Sequence, residues 1–143
     1  MQEQNTLSGM KFYHIALSVA DSRATAKWYQ DKLGFTLLNS KEYPEFGTKI
    51  SFLTLNDFRL ELIEDINSTP QKRDTPPQHS LIQGMAQFSF TIDNMDEVTE
   101  QLKARNVDFA WGPIAYEDLG LKFLFVRDNE GNLIQFFEML NNK

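Results

Sequence analysis

YHIALSVADS at residues 13–22 and AQFSFTIDNM at residues 86–95 are one pattern written twice. Each is an alternating run that ends in side chains suited to start a helix, Asp21 or Ser22 in the first and Asn94 or Asp96 in the second. Working outward from the first copy, Lys11 to Val19 reads as a strand. Phe12, His14, Ala16 and Ser18 fall on one side, and Tyr13, Ile15, Leu17 and Val19 form an apolar other side. A helix is expected from about Arg23 to Leu33, stopped by Gly34, with Trp28 and Tyr29 on it as packing residues. Strands follow at Phe35 to Leu38, Lys49 to Leu55 and Arg59 to Glu64, the last two joined by the Asn56-Asp57 turn.

The second copy opens the same series. A strand at Ala86 to Ile92 leads to a helix ending near Arg105 and a strand at Phe109 to Trp111. Strands at Lys122 to Arg127 and Leu133 to Phe137 then flank the turn Asp128 to Asn132, where Gly131 can take a positive φ. The segment between the copies is rich in Pro, Ser, Thr and Gln, lacks periodicity and reads as a linker. The reading is therefore α+β in one domain spanning 1–143: module one at 10–66, linker 67–84 and module two at 85–140, each β-α-β-β-β. Neither module is large enough to bury its own sheet. The two are expected to form a curved, incomplete eight-stranded barrel around one cavity, where function should sit.

Superposing the halves puts His14 on Gln87, 73 residues later, and Glu61 of RLELIE on Gln135 of LIQFFE, 74 later, so a small insertion lies between. Strand parity places Arg59 and Ile63 on the side of Glu61, and Leu133 and Phe137 on the side of Gln135. Phe12, Phe52, Trp111, Tyr116, Phe123 and Phe137 are the aromatics on or beside these strands that can meet a ligand. Arg59 can hold a carboxylate or phosphate, although an arginine at a strand's start is commonly a surface residue. His79, in the linker after Pro76-Pro77, is expected to be solvated.

Composition narrows the function classes. With 143 residues, 41% hydrophobic and twelve Phe, the chain can build a real core. A net charge of −6 and a pI near 4.9 disfavour nucleic acid and anionic membrane as partners. The absence of cysteine removes disulfides, thiolate metal sites and Cys nucleophiles. No apolar run reaches the roughly 20 residues needed to span a bilayer, and Met1 to Gly9 lacks a leader pattern, so the expected location is cytoplasmic. There is no Gly-rich phosphate loop, GxSxG elbow, HExxH or CxxC.

FYHIALSVADSRATAKWYQDKLGF at 12–35 resembles the first strand, helix and LGF ending of vicinal-oxygen-chelate proteins, the glyoxalase, bleomycin-resistance and dioxygenase group. RDNEGNLIQFFE at 127–138 resembles their closing DPDGNxIEL segment, so the resemblance covers about residues 10 to 140. It implies the two-module fold and frequent homodimers. In metal-using members it also implies a divalent metal (Zn, Ni, Mn or Fe) held by one residue from the first and one from the last strand of each module. Carried over, those positions are His14, Glu61, Gln87 and Gln135. The second-module His is Gln87 here, and the last-strand Glu, which moves the substrate proton in glyoxalase-type members, is Gln135.

These departures have chemical content. Imidazole and carboxylate are strong ligands for a divalent cation, whereas a neutral amide oxygen donates weakly. The two-His-one-carboxylate set of ferrous dioxygenases cannot be assembled from these positions, which removes extradiol cleavage. An amide cannot take a proton from carbon beside a carbonyl, so a glyoxalase-like lyase or isomerase would rest on Glu61 alone as its catalytic group. The preferred expectation is a small-molecule binder with no metal or a weakly held one, its four polar residues satisfying one another. The alternative is a divalent-metal-dependent lyase or isomerase using His14 and Glu61.

Overall fold

The computed structural model of the chain describes residues 6–140; Met1 to Asn5, part of the segment read for a leader, lie outside them. Module one runs β1 (Ile15–Val19), α1 (Ser22–Leu33), β2 (Thr36–Tyr43), β3 (Thr48–Leu55) and β4 (Phe58–Asp65). Module two runs β5 (Phe88–Thr91), α2 (Met95–Ala104), β6 (Asp108–Tyr116), β7 (Leu121–Arg127) and β8 (Leu133–Met139). The first sheet has the order β1-β4-β3-β2 and the second β5-β8-β7-β6. In each sheet the first strand lies parallel to the last of its module, and the other pairs are antiparallel. Two mixed four-stranded sheets, not closed into a barrel, thus realise the expected α+β architecture.

The helix starts follow from their caps. Asp21 accepts a hydrogen bond from the Ala24 N–H at 2.9 Å, and Asn94 accepts one from the Glu97 N–H at 3.1 Å. Helix α1 ends in Gly34 at φ 80°, a left-handed conformation open to glycine without a Cβ penalty. The repeat extends to single contacts. The Glu64 carboxylate accepts from the Ser22 N–H at 2.7 Å, and that of its repeat-mate Glu138 from the Met95 N–H at 2.6 Å, so the last strand of each module anchors its own helix. Between the helices, the Lys32 ammonium donates to the Arg105 carbonyl and the Arg105 guanidinium to the Lys32 carbonyl, the reciprocity of a local two-fold axis.

One face of every central strand feeds a single core shared by both modules. Leu60, Leu62, Leu124 and Ile134 are fully buried there with Tyr29 and Met95. Each such aliphatic side chain contributes about 1.5–3 kcal/mol of burial. Phe35 and Phe58 of module one meet Phe90 of module two edge-on at 6.2 and 5.3 Å, and Phe58 stacks on Phe88 at 6.0 Å.

Several boundaries differ from the sequence reading. Strand β1 begins at Ile15, because its pairing with β4 starts at Ile15 opposite Leu60, and β5 begins at Phe88 for the same reason. His14 and Gln87 therefore sit just before their strands rather than within them. Strands β2 and β6 run longer than expected, to Tyr43 and Tyr116. In β6 the pairing is irregular between Trp111 and Ile114, where Gly112 has φ 96° and a Cβ would lie 2.8 Å from the Phe123 carbonyl oxygen.

Candidate functional site

The four positions found by superposing the halves form two hydrogen-bonded pairs, one per sheet. His14 Nε2 lies 3.0 Å from Glu61 Oε1, the two side chains being partly buried. Gln87 Nε2 donates to Gln135 Oε1 at 3.2 Å, and Ser89 Oγ donates to the same oxygen at 3.1 Å. The pairing follows from topology, since the first strand lies beside the last in each module. No hydrogen bond joins one pair to the other among the described residues.

The surroundings of the two pairs differ. Around His14, the Phe52 ring stands at 6.2 Å and the Tyr13 ring at 4.7 Å, with the Arg59 guanidinium 5.3 Å over Tyr13. This face is open: Ala16, Ser18, Arg59, Phe12 and Tyr13 are exposed, the last two at 76% and 58%. Beside Gln135, module two presents an aromatic wall of Trp111, Phe123, Phe125 and Phe137 with Leu133. Trp111 meets Phe123 edge-on at 5.1 Å and stacks on Phe125 at 6.2 Å, and Tyr116 stacks on Phe123 at 5.1 Å. Phe52, Trp111, Phe123 and Phe137 thus divide between two faces, one with module one and three with module two, while Arg59 lies with the His14 pair.

Residues beyond those expected also build the site. His79 is only 9% exposed and sets its ring 5.2 Å from Phe125, where solvation had been expected. The Arg73 guanidinium donates to the His79 carbonyl at 2.7 Å and the Ile82 carbonyl at 2.6 Å, folding the linker on itself around this ring. Phe125 was legible as the repeat-mate of Phe52, 73 residues on, and Ser89 as the next residue on the side of Gln87. For Arg73 and His79 the only local signal was an arginine and a histidine bracketing Pro76-Pro77.

Between the modules lies a pocket of about 440 Å³ lined by Ser18, Arg73, Gln87, Glu130, Asn132 and Leu133 among others. A larger groove of about 1020 Å³ runs between α1 and β2, bordered by Arg23, Lys27, Lys41 and Lys49, and contains none of the four paired residues. The seam pocket contains Gln87, one of the four paired residues, and runs along the linker at Ser68 to Gln71 and Arg73.

The donor chemistry can be tested against a resident divalent metal. Two strong ligands, the His14 imidazole and the Glu61 carboxylate, stand side by side at 3.0 Å. On the other sheet the Gln135 oxygen already accepts two hydrogen bonds, and amide oxygens donate weakly in any case. No cluster of three or more His, Cys, Asp or Glu suited to a metal occurs among the described residues. This donor set does not fit a tightly held catalytic metal.

Paired β-α-β-β-β modules, each with a polar pair on the face away from the shared core, define the class of protein to which this fold belongs. The chain belongs to the Glyoxalase/Bleomycin resistance protein/Dioxygenase superfamily, whose family model matches residues 11–136. Among its relatives, a lactoylglutathione lyase of Haemophilus influenzae is 29% identical over 136 residues, covering 94% of this chain and 96% of the relative. A bleomycin resistance protein of Geobacillus stearothermophilus is 26% identical over 132 residues, covering 89% and 96%. A solved glyoxalase family protein from Enterococcus faecalis superposes with a TM-score of 0.75 at 23% identity, over 90% of this chain and 97% of the other. No helix among the described residues is long and apolar enough to cross a membrane.

Proposed function

We propose that this protein binds a small molecule on its sheet faces without a resident catalytic metal. The observation that carries this reading is that Gln135, where a base would have to stand, is an amide whose oxygen is already held by Gln87 and Ser89. A residue so held positions a ligand through its remaining amide donors and moves no proton. The likeness to a bleomycin resistance protein supports the same reading. The open face around His14, Phe12 and Tyr13 favours a homodimer, in which a second copy would close the module-one half of the pocket.

The test is metal analysis of protein purified without a histidine tag, with light scattering on the same sample. The expected result is well under one metal per chain, a melting temperature unmoved by Zn, Ni, Mn or Fe salts, and the mass of two chains. One metal per chain, lost in His14→Ala, would overturn the reading in favour of a second one, a metal-dependent lyase or isomerase based on His14 and Glu61. That alternative is favoured by the contact between those two side chains and by the relative named lactoylglutathione lyase.

A further inference from the structure

The two modules share a plan but not the state of their outer faces. At repeat-related positions, Phe52 and Ile50 of module one are half-buried, whereas Phe125 and Phe123 of module two are 3% exposed. Arg59 is exposed where its mate Leu133 is buried. Apart from Gln135, the buried parts of strands β7 and β8 are apolar on both faces: Leu124, Val126, Ile134 and Phe136 serve the shared core, and Phe123, Phe125, Leu133 and Phe137 line the wall. A sheet apolar on both faces requires a cover. Part of that cover is the linker, which buries Pro76 and His79 and lays the His79 ring against Phe125.

The fit is makeshift in two respects. His79 Nδ1 is buried with no hydrogen-bond partner among the described residues, so this contact forfeits a bond that imidazole makes in water. The segment is also thinly fastened. Beyond the short turn Gln78–Leu81 it has no regular structure, and Leu81 and Met85 beside it stay exposed. Its hydrogen-bonded tether to module two is Arg127, which donates to the Arg73 carbonyl at 3.2 Å and the Thr75 hydroxyl at 3.3 Å. The occupant is a planar heteroaromatic ring meeting Phe125 edge-on, and the wall would offer the same edge-to-face contact to another such ring.

We propose that the linker is a displaceable strap: the module-two wall binds planar aromatic molecules, and His79 holds that wall until a ligand pushes it off. The inference rests on the reading of the sheet faces as a small-molecule site, and adds to it the ligand class and the element that competes for the site. A plug of this kind lowers apparent affinity by the fraction of time the wall is uncovered.

The experiment uses 2-naphthol as the probe in a Trp28→Phe background, where Trp111 is the sole tryptophan. Trp111 fluorescence reads binding, and hydrogen exchange over 70–82 reads the strap. The expected result is saturable quenching that is lost in Phe125→Ala, faster exchange over 70–82 at saturation, and an apparent Kd at least about fivefold lower when the plug or its tether is removed. His79→Ala removes the ring, and Arg127→Gln leaves the ring but removes the tether together with the Arg127 bond to the Gly131 carbonyl at 2.9 Å, so the second tests the strap if the first disturbs folding. Saturable binding with unchanged exchange, and equal or weaker affinity in both variants, would overturn the strap while leaving the binding reading intact. Absence of saturable quenching in all proteins, each showing a cooperative melt, would overturn the aromatic ligand class. The metal content described above separately decides the underlying reading.

Discussion

Among single residues, Tyr29 shows how a buried polar atom ties the modules. It is fully buried on α1 and its hydroxyl donates to the Asp128 carboxylate at 2.7 Å, across the boundary to the β7–β8 turn. Burial, and then the charge of Asp128 and the hydrogen bond to it, raise the Tyr29 pKa well above the ordinary 10.0. Above pH 10 the unfolded chain therefore loses this proton first. The contribution of the group is fully present below that pH and declines, at up to about 1.4 kcal/mol per pH unit, until the raised pKa is passed. Tyr29→Phe should cost about 1.5 kcal/mol at pH 7, because Asp128 keeps its bonds from Glu130 and Asn132 while losing one neutral donor. Urea unfolding at pH 7 and at pH 10.5 checks both statements: the variant should be less stable at the first pH and lose less between the two. An equal alkaline loss in both proteins would remove Tyr29 as its source.

Among elements, the β7–β8 turn is where the modules cease to be copies. The offset between halves changes from 73 to 74 across it, and the longer turn delivers Glu130 to the start of α1. There its carboxylate accepts from the Ala20 and Asp21 N–H groups at 2.7 and 3.0 Å and from the Thr25 hydroxyl at 3.3 Å. Glu130→Ala should destabilise the chain by about 1–2 kcal/mol, the range for loss of a helix-start acceptor, and speed amide exchange at Ala20 and Asp21 more than along α2. Thermal unfolding with exchange read residue by residue checks this, and equal effects on both helices would contradict a local anchor. The sequence displayed the insertion but not its use, because a contact 110 residues away leaves no local pattern. The same division runs through the site. His14, Glu61, Gln87 and Gln135 could be located because strand parity and the repeat both act at short range. The strand starts at Ile15 and Phe88 could not, since pairing with the distant β4 and β8 decides them. Nor could the burial of His79, which depends on a wall formed by strands that follow it in the chain.

For the whole molecule, the consequence is that the main core belongs to both modules, only the aromatic wall being module two's own. Phe90 of β5 touches Phe35 and Phe58 of the other module as well as Phe88 and Phe136 of its own, so one ring belongs to both halves. The Lys32–Arg105 reciprocity and the Glu130 and Tyr29 contacts cross the same boundary. A chain joined in this way should unfold in a single step although it is built from a repeat. The two tryptophans make this directly measurable, since Trp28 lies in module one and Trp111 in module two. In urea, Trp28→Phe and Trp111→Phe proteins should each show one fluorescence transition coincident with its own far-ultraviolet circular dichroism transition. Phe90→Ala introduced into both should lower stability by about 3 kcal/mol through the cavity it leaves, and by the same amount whichever tryptophan reports. Separate fluorescence and circular dichroism midpoints, or a Phe90→Ala effect confined to the Trp111 signal, would mean that module one holds together alone and that the shared aromatic core is only a contact between finished halves.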